Sequence, residues 1–553
     1  MTGPTRLPDR ARLGDVLPHL TAWNAEHEAL AYPGFVMGGS ATRRTYAQLE
    51  ARVEKLARGL LALGLKRGDH VALWAPNVPD WIPLEFALAK VGAVLVTVNT
   101  ALQRSEASYV LENSGAVAVL HTTEAGTNPC SETLDALLGA GRLGNLKHRV
   151  WVGAHPFDEA PPMRAPRKGS VTTLEELVER GRELPPNALP DREAQLDAHD
   201  VVNIQYTSGT TGHPKGVMLS HRNVLATAYA LGDQLRMTSD DRVALMVPLF
   251  HCFGCVVAVV GTYVHGASLH AIPGFEPGHA LQLVSEERCT VIHGVPTMFN
   301  AMLNHPERAE HDTHSLRTGL MAGATCPESL LRAVQDTLGC DGICVAYGLT
   351  EASPGVSGCN PEDPFEQRCG SIGRPIQNVT LAVVDPATGE EQPRGVEGEL
   401  RVQGPNVMQG YHGDPAATAA ALTRDGWLCT GDLGVQTEDG LFHHVGRIKD
   451  IIIRGGENIA PAEIENVLRE HPDVVDAAVV GIPDDHFGEE VAAALVLAEG
   501  ADVDEAAYEQ LLEGRIASFK RPKLYRALDA FPLTGSGKVK KFQIVEMISS
   551  TMG

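Results

Sequence analysis

Positive charge is scarce in this chain. Its 553 residues carry 46 Lys and Arg against 69 Asp and Glu, a formal net charge of −23 at pH 7. So acidic a balance argues against nonspecific binding to nucleic acid or to anionic membranes. It also requires that any nucleotide be held by local donors, because the overall field repels it. No secretory leader is expected from Met1 to Arg12, which hold Pro, Asp and several Arg but no apolar core. A membrane-spanning run is lacking too. The longest uncharged span, Val243 to Phe275, is broken by Pro248, Gly254, Gly261, Gly266 and three His. It predicts a buried strand–turn–helix–strand instead. The 10 Cys include Cys252-x-x-Cys255 and Cys340-x-x-x-Cys344, but no second pair at zinc-finger spacing. They read as buried or pocket-lining thiols, kept reduced in a cytoplasmic chain. Internal repeats and low-complexity segments are absent as well.

What is present fits a soluble globular enzyme, with 43% hydrophobic and 21% charged residues. The length exceeds one core and implies two or more domains. Thr45 and Gln48 form a capping box ahead of a helical face of Leu49, Val53, Leu56, Leu60 and Leu63, with Gly64 past its end. A strand at His70 to Trp74, a helix near Trp81 to Lys90 and a strand at Ala93 to Val98 follow. This alternation predicts an α/β fold with largely parallel, helix-covered sheets. Ala154 to Arg192, richer in Pro and charge, reads as surface loops. Beyond Lys449 the pattern changes to a strand (Ile451 to Ile453), a helix opened by Pro461, strands at Val474 to Val480 and Val491 to Leu497, and a helix near Glu505 to Ala517. That is a compact α+β unit, so the expected domains are 1–448 and 449–553.

The densest chemical signal is Tyr206-Thr-Ser-Gly-Thr-Thr-Gly-His-Pro-Lys-Gly216, directly after the apolar strand end Val201 to Ile204. Glycines let backbone N–H groups turn inward as an anion-binding array. Hydroxyls add donors, and Lys215 adds a point charge. The spacing differs from G-x-x-x-x-G-K-[ST], since Pro214 precedes Lys215 and Gly216 follows it. This is a phosphate loop of another kind.

The loop resembles the motif of the adenylate-forming enzymes, which include acyl-CoA synthetases, luciferases and peptide-synthetase adenylation domains. Further blocks similar to that family follow in order: Tyr347-Gly-Leu-Thr-Glu351, Thr430-Gly-Asp432, Gly446-Arg-Ile-Lys-Asp450 with Gly455-Gly-Glu-Asn-Ile-Ala-Pro461, and Pro532-Leu-Thr-Gly-Ser-Gly-Lys538. The resemblance runs from about Thr45 to about Phe542. It implies a large N-terminal domain, a small mobile C-terminal one, and two half-reactions. A carboxylate first attacks the α-phosphate of ATP to give an acyl-AMP and pyrophosphate. A thiol then attacks the activated carbonyl, and AMP leaves.

The resemblance also implies roles. Thr207, Ser208, Gly209, Thr210, Thr211, Gly212 and Lys215 would cradle the β- and γ-phosphates. Glu351, with Thr207, would hold Mg²⁺, a hard cation that prefers oxygen. Thr350 would contact the α-phosphate. Tyr347, followed by Gly348, would stack on adenine opposite Gly323 and Ala324. Asp432 would accept the ribose hydroxyls and Arg447 would donate to the ribose. Lys538 would bridge carboxylate and α-phosphate in the first step. Lys449 would be the pivot that removes Lys538 and brings in Gly455 and Gly456 beside the pantetheine of coenzyme A.

The acyl site is less defined. In the family resembled, the helix after Pro248-Leu-Phe-His251 lines the acyl pocket, and enzymes for α-amino acids carry an acid near its start. No Asp or Glu occurs between Val243 and Phe275, so a buried ammonium would lack a partner. Cys252, Phe253, Gly254, Val256, Ala258 and Gly261 are the candidate acyl contacts. A channel for an elongated apolar chain and close helix–sheet packing are both open for the small residues among them. His251 either orients the carboxylate or is a packed core residue. With Gly294-Val-Pro-Thr-Met-Phe299, the segment looks most like medium- and long-chain fatty acid–CoA ligases. The expected function is therefore an AMP-forming fatty acid–CoA ligase using ATP, Mg²⁺ and coenzyme A. Its partners are small molecules, with no nucleic acid and no transmembrane segment, and a homodimer is left open. The alternatives are an aryl or short-chain acid–CoA ligase, a stand-alone enzyme loading a carrier protein, and a luciferase-like oxygenase. A fused carrier is not expected, because the chain ends at Gly553 soon after Lys538.

Overall fold

The computed structural model describes residues 3–102, 104–125, 128–153, 171–207, 214–454, 457–484, 487–533 and 539–550. Packing divides the chain into two compact units, Met1–Thr380 with Val402–Leu428, and Leu381–Arg401 with Cys429–Gly553.

Two large sheets build the first unit. One has 8 strands in the order Gly410–Tyr411, Lys215–Ser220, Val201–Thr207, Val94–Thr97, His70–Trp74, Ala118–Thr122, His148–Gly153, Thr172–Thr173. Its members from Val201–Thr207 onward pair in parallel, while the two strands on the other side are antiparallel. The other has 9 strands, with Gly342–Tyr347, Thr318–Met321, Val291–Gly294, Arg242–Leu245 and Ser268–Ala271 parallel through its middle. Strands covered on both faces run largely apolar, and Val94–Thr97 and Val291–Gly294 are wholly buried. The Thr45–Gln48 capping box opens the helix Tyr46–Ala62, whose Leu49, Val53, Leu56 and Leu60 are buried as their spacing requires.

The stretch expected to be surface loops contains a helix instead, Leu174–Arg182. Thr173 and Glu176 form its capping box, and Leu177 and Gly181 pack against Gly59 of the preceding helix. The high charge of this segment belongs to its solvent face.

In the second unit, Thr380–Val384, Gly398–Gln403, Leu428–Gln436 and Phe442–Arg447 form a 4-stranded sheet. A 5-stranded sheet follows, built around the hairpin Val474–Asp484 and Gly488–Leu497. The helix Pro461–Leu468 carries Pro at its first turn and packs on Phe442–Arg447. That contact groups residues before 448 with those after it, so the packing units do not divide at 448/449. The last expected helix is shorter than its spacing suggested, Glu505–Leu512, with Gly514 at φ +74° just past its end.

Candidate active site

The strands on either side of the expected phosphate loop form a hairpin. Val201–Thr207 and Lys215–Ser220 pair antiparallel, and Thr207 lies opposite Lys215. The Thr207 hydroxyl donates to the Lys215 carbonyl at 3.4 Å. Ser208, Gly209, Thr210, Thr211 and Gly212 lie outside the described residues, as do Gly455, Gly456 and Lys538.

Tyr411 joins two of the expected ligand-binding side chains. The Lys215 ammonium lies 4.9 Å from the centre of its ring, within cation–π range. Its hydroxyl donates to Glu351 Oε1 at 2.8 Å. The Glu351 carbonyl in turn accepts from the Met408 N–H at 2.8 Å. Burial, with the Glu351 carboxylate beside it, pushes the Tyr411 phenol well above its usual range.

The neighbouring Thr350 is reached from the segment expected to line the acyl site. The Cys252 thiol donates to the Thr350 hydroxyl at 3.7 Å. His251 Nδ1 accepts the Phe253 N–H at 3.1 Å. In the neutral ring this hydrogen bond assigns the proton to Nε2. Thr350, Glu351, His251, Cys252 and Lys215 are thus linked within one unit.

Gly323 and Ala324 follow the strand Thr318–Met321, and Tyr347 ends its parallel neighbour Gly342–Tyr347. Both therefore sit at carboxyl ends of adjacent parallel strands, where open α/β sheets hold their ligands. Gly323 has φ +88°, which favours glycine. Gly348 is glycine for packing: a Cβ there would lie 1.5 Å from the Pro354 carbonyl oxygen.

Asp432 and Arg447 are cross-strand partners in the second unit, with Arg447 Nε 2.9 Å from Asp432 Oδ1. Asp432 is buried, and Thr430 accepts its N–H at 3.0 Å. Lys449 is exposed in the short turn Ile448–Asp450.

The acyl segment departs from the sequence-based expectation in its winding. Phe253–Val260 is a π-helix that continues as the α-helix Gly261–Val264, so 3.6-residue spacing does not run through Gly254, Ala258 and Gly261. Gly254 packs closely, since a Cβ there would meet the Pro248 carbonyl oxygen at 2.2 Å. Gly261 does not, its nearest such neighbour being the Ala228 oxygen at 3.8 Å. Cys252, Phe253, Val256 and Ala258 are buried. The thiol of Cys255 accepts from Gln205 Nε2 at 3.2 Å, and Gln205 in turn accepts from Thr97. Glu85, in the helix Trp81–Val91, is a buried carboxyl within electrostatic reach of Cys255, and burial holds it well above its ordinary pKa. Sequence reasoning missed Tyr411, because it belongs to none of the recognised blocks.

Among the described residues, Glu28, His270 and Glu287 also bring ligand-type atoms within 4.8 Å of one another. Arg43 and Arg242 already pair with both carboxylates there, which offsets the charge a cation would use.

A family model for AMP-binding enzymes matches residues 21–412, and one for the C-terminal domain of AMP-binding enzymes matches residues 463–538. The chain belongs to the AMP-binding enzyme family. It is similar to the YngI protein of Bacillus subtilis (strain 168), which carries acyl-CoA synthetase as a provisional label. The two are 39% identical over 97% of this chain and 96% of YngI. The medium-chain acyl-CoA ligase ACSF2, mitochondrial, of Rattus norvegicus is 37% identical over 92% of this chain and 83% of its own. Among solved structures, a fatty acyl CoA synthetase of Mycobacterium tuberculosis aligns with TM-score 0.73 and 31% identity, over 98% of this chain and 99% of its own.

Proposed function

We infer that the chain is an ATP-dependent acid–thiol ligase that converts a medium- or long-chain fatty acid to its acyl-CoA through an acyl-AMP. The observation that carries this reading is the link through Tyr411. It brings the lysine of the phosphate loop and the acid of the Tyr347–Glu351 block to one side chain. Full-length similarity to proteins named as acyl-CoA ligases supports the choice of reaction.

In the first step a carboxylate oxygen attacks the α-phosphorus, the bond to the bridging oxygen breaks, and pyrophosphate leaves. Lys215 and the loop it closes would neutralise the departing phosphates, and Thr350 would contact the α-phosphate. His251, with its proton on Nε2, would donate to the incoming carboxylate. Lys538 would stabilise the charge that develops between carboxylate and α-phosphate. Glu351 and Thr207 offer a carboxylate and a hydroxyl, hard oxygen donors that suit Mg²⁺. That ion supplies charge neutralisation at the phosphate oxygens when bound. In the second step the thiol of coenzyme A attacks the acyl carbonyl, AMP leaves, and the thiol proton passes to solvent. Asp432 and Arg447 would hold the ribose, and a pivot at Lys449 would separate 1–448 from 449–553 between steps.

The fatty chain is supported by a largely buried, acid-free segment from Val243 to Phe275. All ten cysteines are free thiols, which suits a reducing compartment such as the cytoplasm. No described helix is long and apolar enough to cross a membrane. The test is a panel of acids from acetate to palmitate, with benzoate and cinnamate, ranked by CoA-dependent AMP release. A maximum among the medium or long chains is expected. A maximum at acetate or at the aryl acids would overturn the substrate class, and AMP release independent of CoA would overturn the thioester.

A further inference from the structure

Lys215 and Glu351 belong to separate sequence blocks, and their relative position depends on a third residue. Tyr411 lies in the strand Gly410–Tyr411, antiparallel to Lys215–Ser220, with Tyr411 opposite Val217. The pairing is continued by the His412 N–H, which donates to the Gly216 carbonyl at 2.7 Å, and the Gln409 N–H, which donates to Met218 at 2.9 Å. On its other side the Tyr411 N–H donates to the Thr418 hydroxyl at 2.9 Å, and that hydroxyl donates to the Asp414 carbonyl at 2.8 Å. Asp414 also caps the helix Pro415–Ala421. The backbone of Tyr411 is therefore held from both flanks, and its side chain is buried.

Such a residue presents two chemically different edges. The ring attracts an ammonium through its negative face, and the hydroxyl donates to a carboxylate. A lysine and a glutamate brought to one side chain attract each other, and a direct pair would neutralise both and withdraw them from a ligand. A phenol between them satisfies each without cancelling either.

We propose that Tyr411 is a positioning residue of the ATP site, holding Glu351 for the metal with its hydroxyl and Lys215 for the phosphates with its ring. The proposal rests on the reading that Glu351 meets the metal and Lys215 the phosphates. Two substitutions separate the edges. Tyr411→Phe removes the hydrogen bond and keeps the ring, whereas Tyr411→Leu removes both.

The measurement is calorimetric binding of α,β-methylene ATP to the full chain, in Mg²⁺ and in EDTA, alongside the thermal midpoint of each variant. Wild type is expected to bind more tightly with Mg²⁺ than without. Tyr411→Phe is expected to lose about tenfold of that gain, the scale of one hydrogen bond to a charged group, with binding in EDTA unchanged. Tyr411→Leu should in addition bind more weakly in EDTA. Glu351→Gln is the reference for the underlying reading. If Glu351→Gln loses the Mg²⁺ gain and a folded Tyr411→Phe keeps it, the proposal is overturned while the site stands. If Glu351→Gln also keeps the gain, the metal assignment falls and the proposal with it. A uniform loss of binding with a lowered thermal midpoint in Tyr411→Phe would assign Tyr411 to folding alone.

Discussion

Gly254 and Gly261 look alike in the sequence and behave differently in the structure. An added Cβ at Gly254 would sit 2.2 Å from a backbone oxygen, which cannot move aside as a side chain can. Gly254→Ala should therefore destabilise the protein by about 1–3 kcal/mol, the usual cost of forced overpacking, measured by urea denaturation. At Gly261 the nearest atom is 3.8 Å away, and its backbone lies in the right-handed helical region. Gly261→Ala should fold as wild type or gain about 0.4–1 kcal/mol through a less flexible unfolded chain. The same site tests the acyl channel. Gly261→Leu should shorten the preferred acid while sparing small ones, since one methylene of contact is worth about 1–3 kcal/mol in discrimination. A folded Gly261→Leu with an unchanged chain-length profile would assign the glycine to packing. Sequence could pick out both glycines as small, but the difference depends on what Pro248 and Ala228 place opposite them.

Elements were legible where their signals are local. The capping box at Thr45 and Gln48, the Pro461 helix start and the apolar strands all formed where side-chain chemistry placed them. Two features were not legible for physical reasons. The Leu174–Arg182 helix hides its apolar face among charges, and the π-winding of Phe253–Val260 changes the spacing by which sequence patterns are read. Ties between elements are also invisible in sequence. Glu287, at the end of the helix Pro277–Glu287, accepts from His270 at 3.0 Å and from Arg242 at 3.1 Å and pairs with Arg43, so one carboxylate joins three strands. Burial alone would raise its pKa, but His270 and Arg43 hold it down at about 2, against an ordinary 4.5. A carboxylate depressed in the folded state stabilises fully above its unfolded pKa and loses that contribution as pH falls through the folded one. Wild-type stability should thus decline between pH 4.5 and about 2 in part through Glu287. Glu287→Gln should be less stable at neutral pH and show a shallower acid limb in denaturation across that window. An unchanged acid limb would mean the network carries no linkage.

At the scale of the whole molecule, five blocks in a fixed order make the family and its two-step reaction readable in the amino-acid sequence. Tyr411 was not readable there, because its bond to Glu351 spans 60 residues and belongs to no block. Nor was the grouping of Leu381–Arg401 with Cys429–Gly553, which follows from strand pairing and from the packing of Pro461–Leu468. The proposed mechanism requires a division of labour between Lys538, needed only for adenylation, and Lys449, needed for the change between steps. The decisive measurement assays each half-reaction separately in Lys538→Ala and Lys449→Pro. Lys538→Ala should lose adenylation by about 10²–10³-fold, as when one transition-state donor is removed, yet pass pre-formed acyl-AMP to coenzyme A at near wild-type rate. Lys449→Pro, with φ fixed at the pivot, should form acyl-AMP and fail to make the thioester. Equal slowing of both half-reactions by each substitution would contradict the two-conformation reaction.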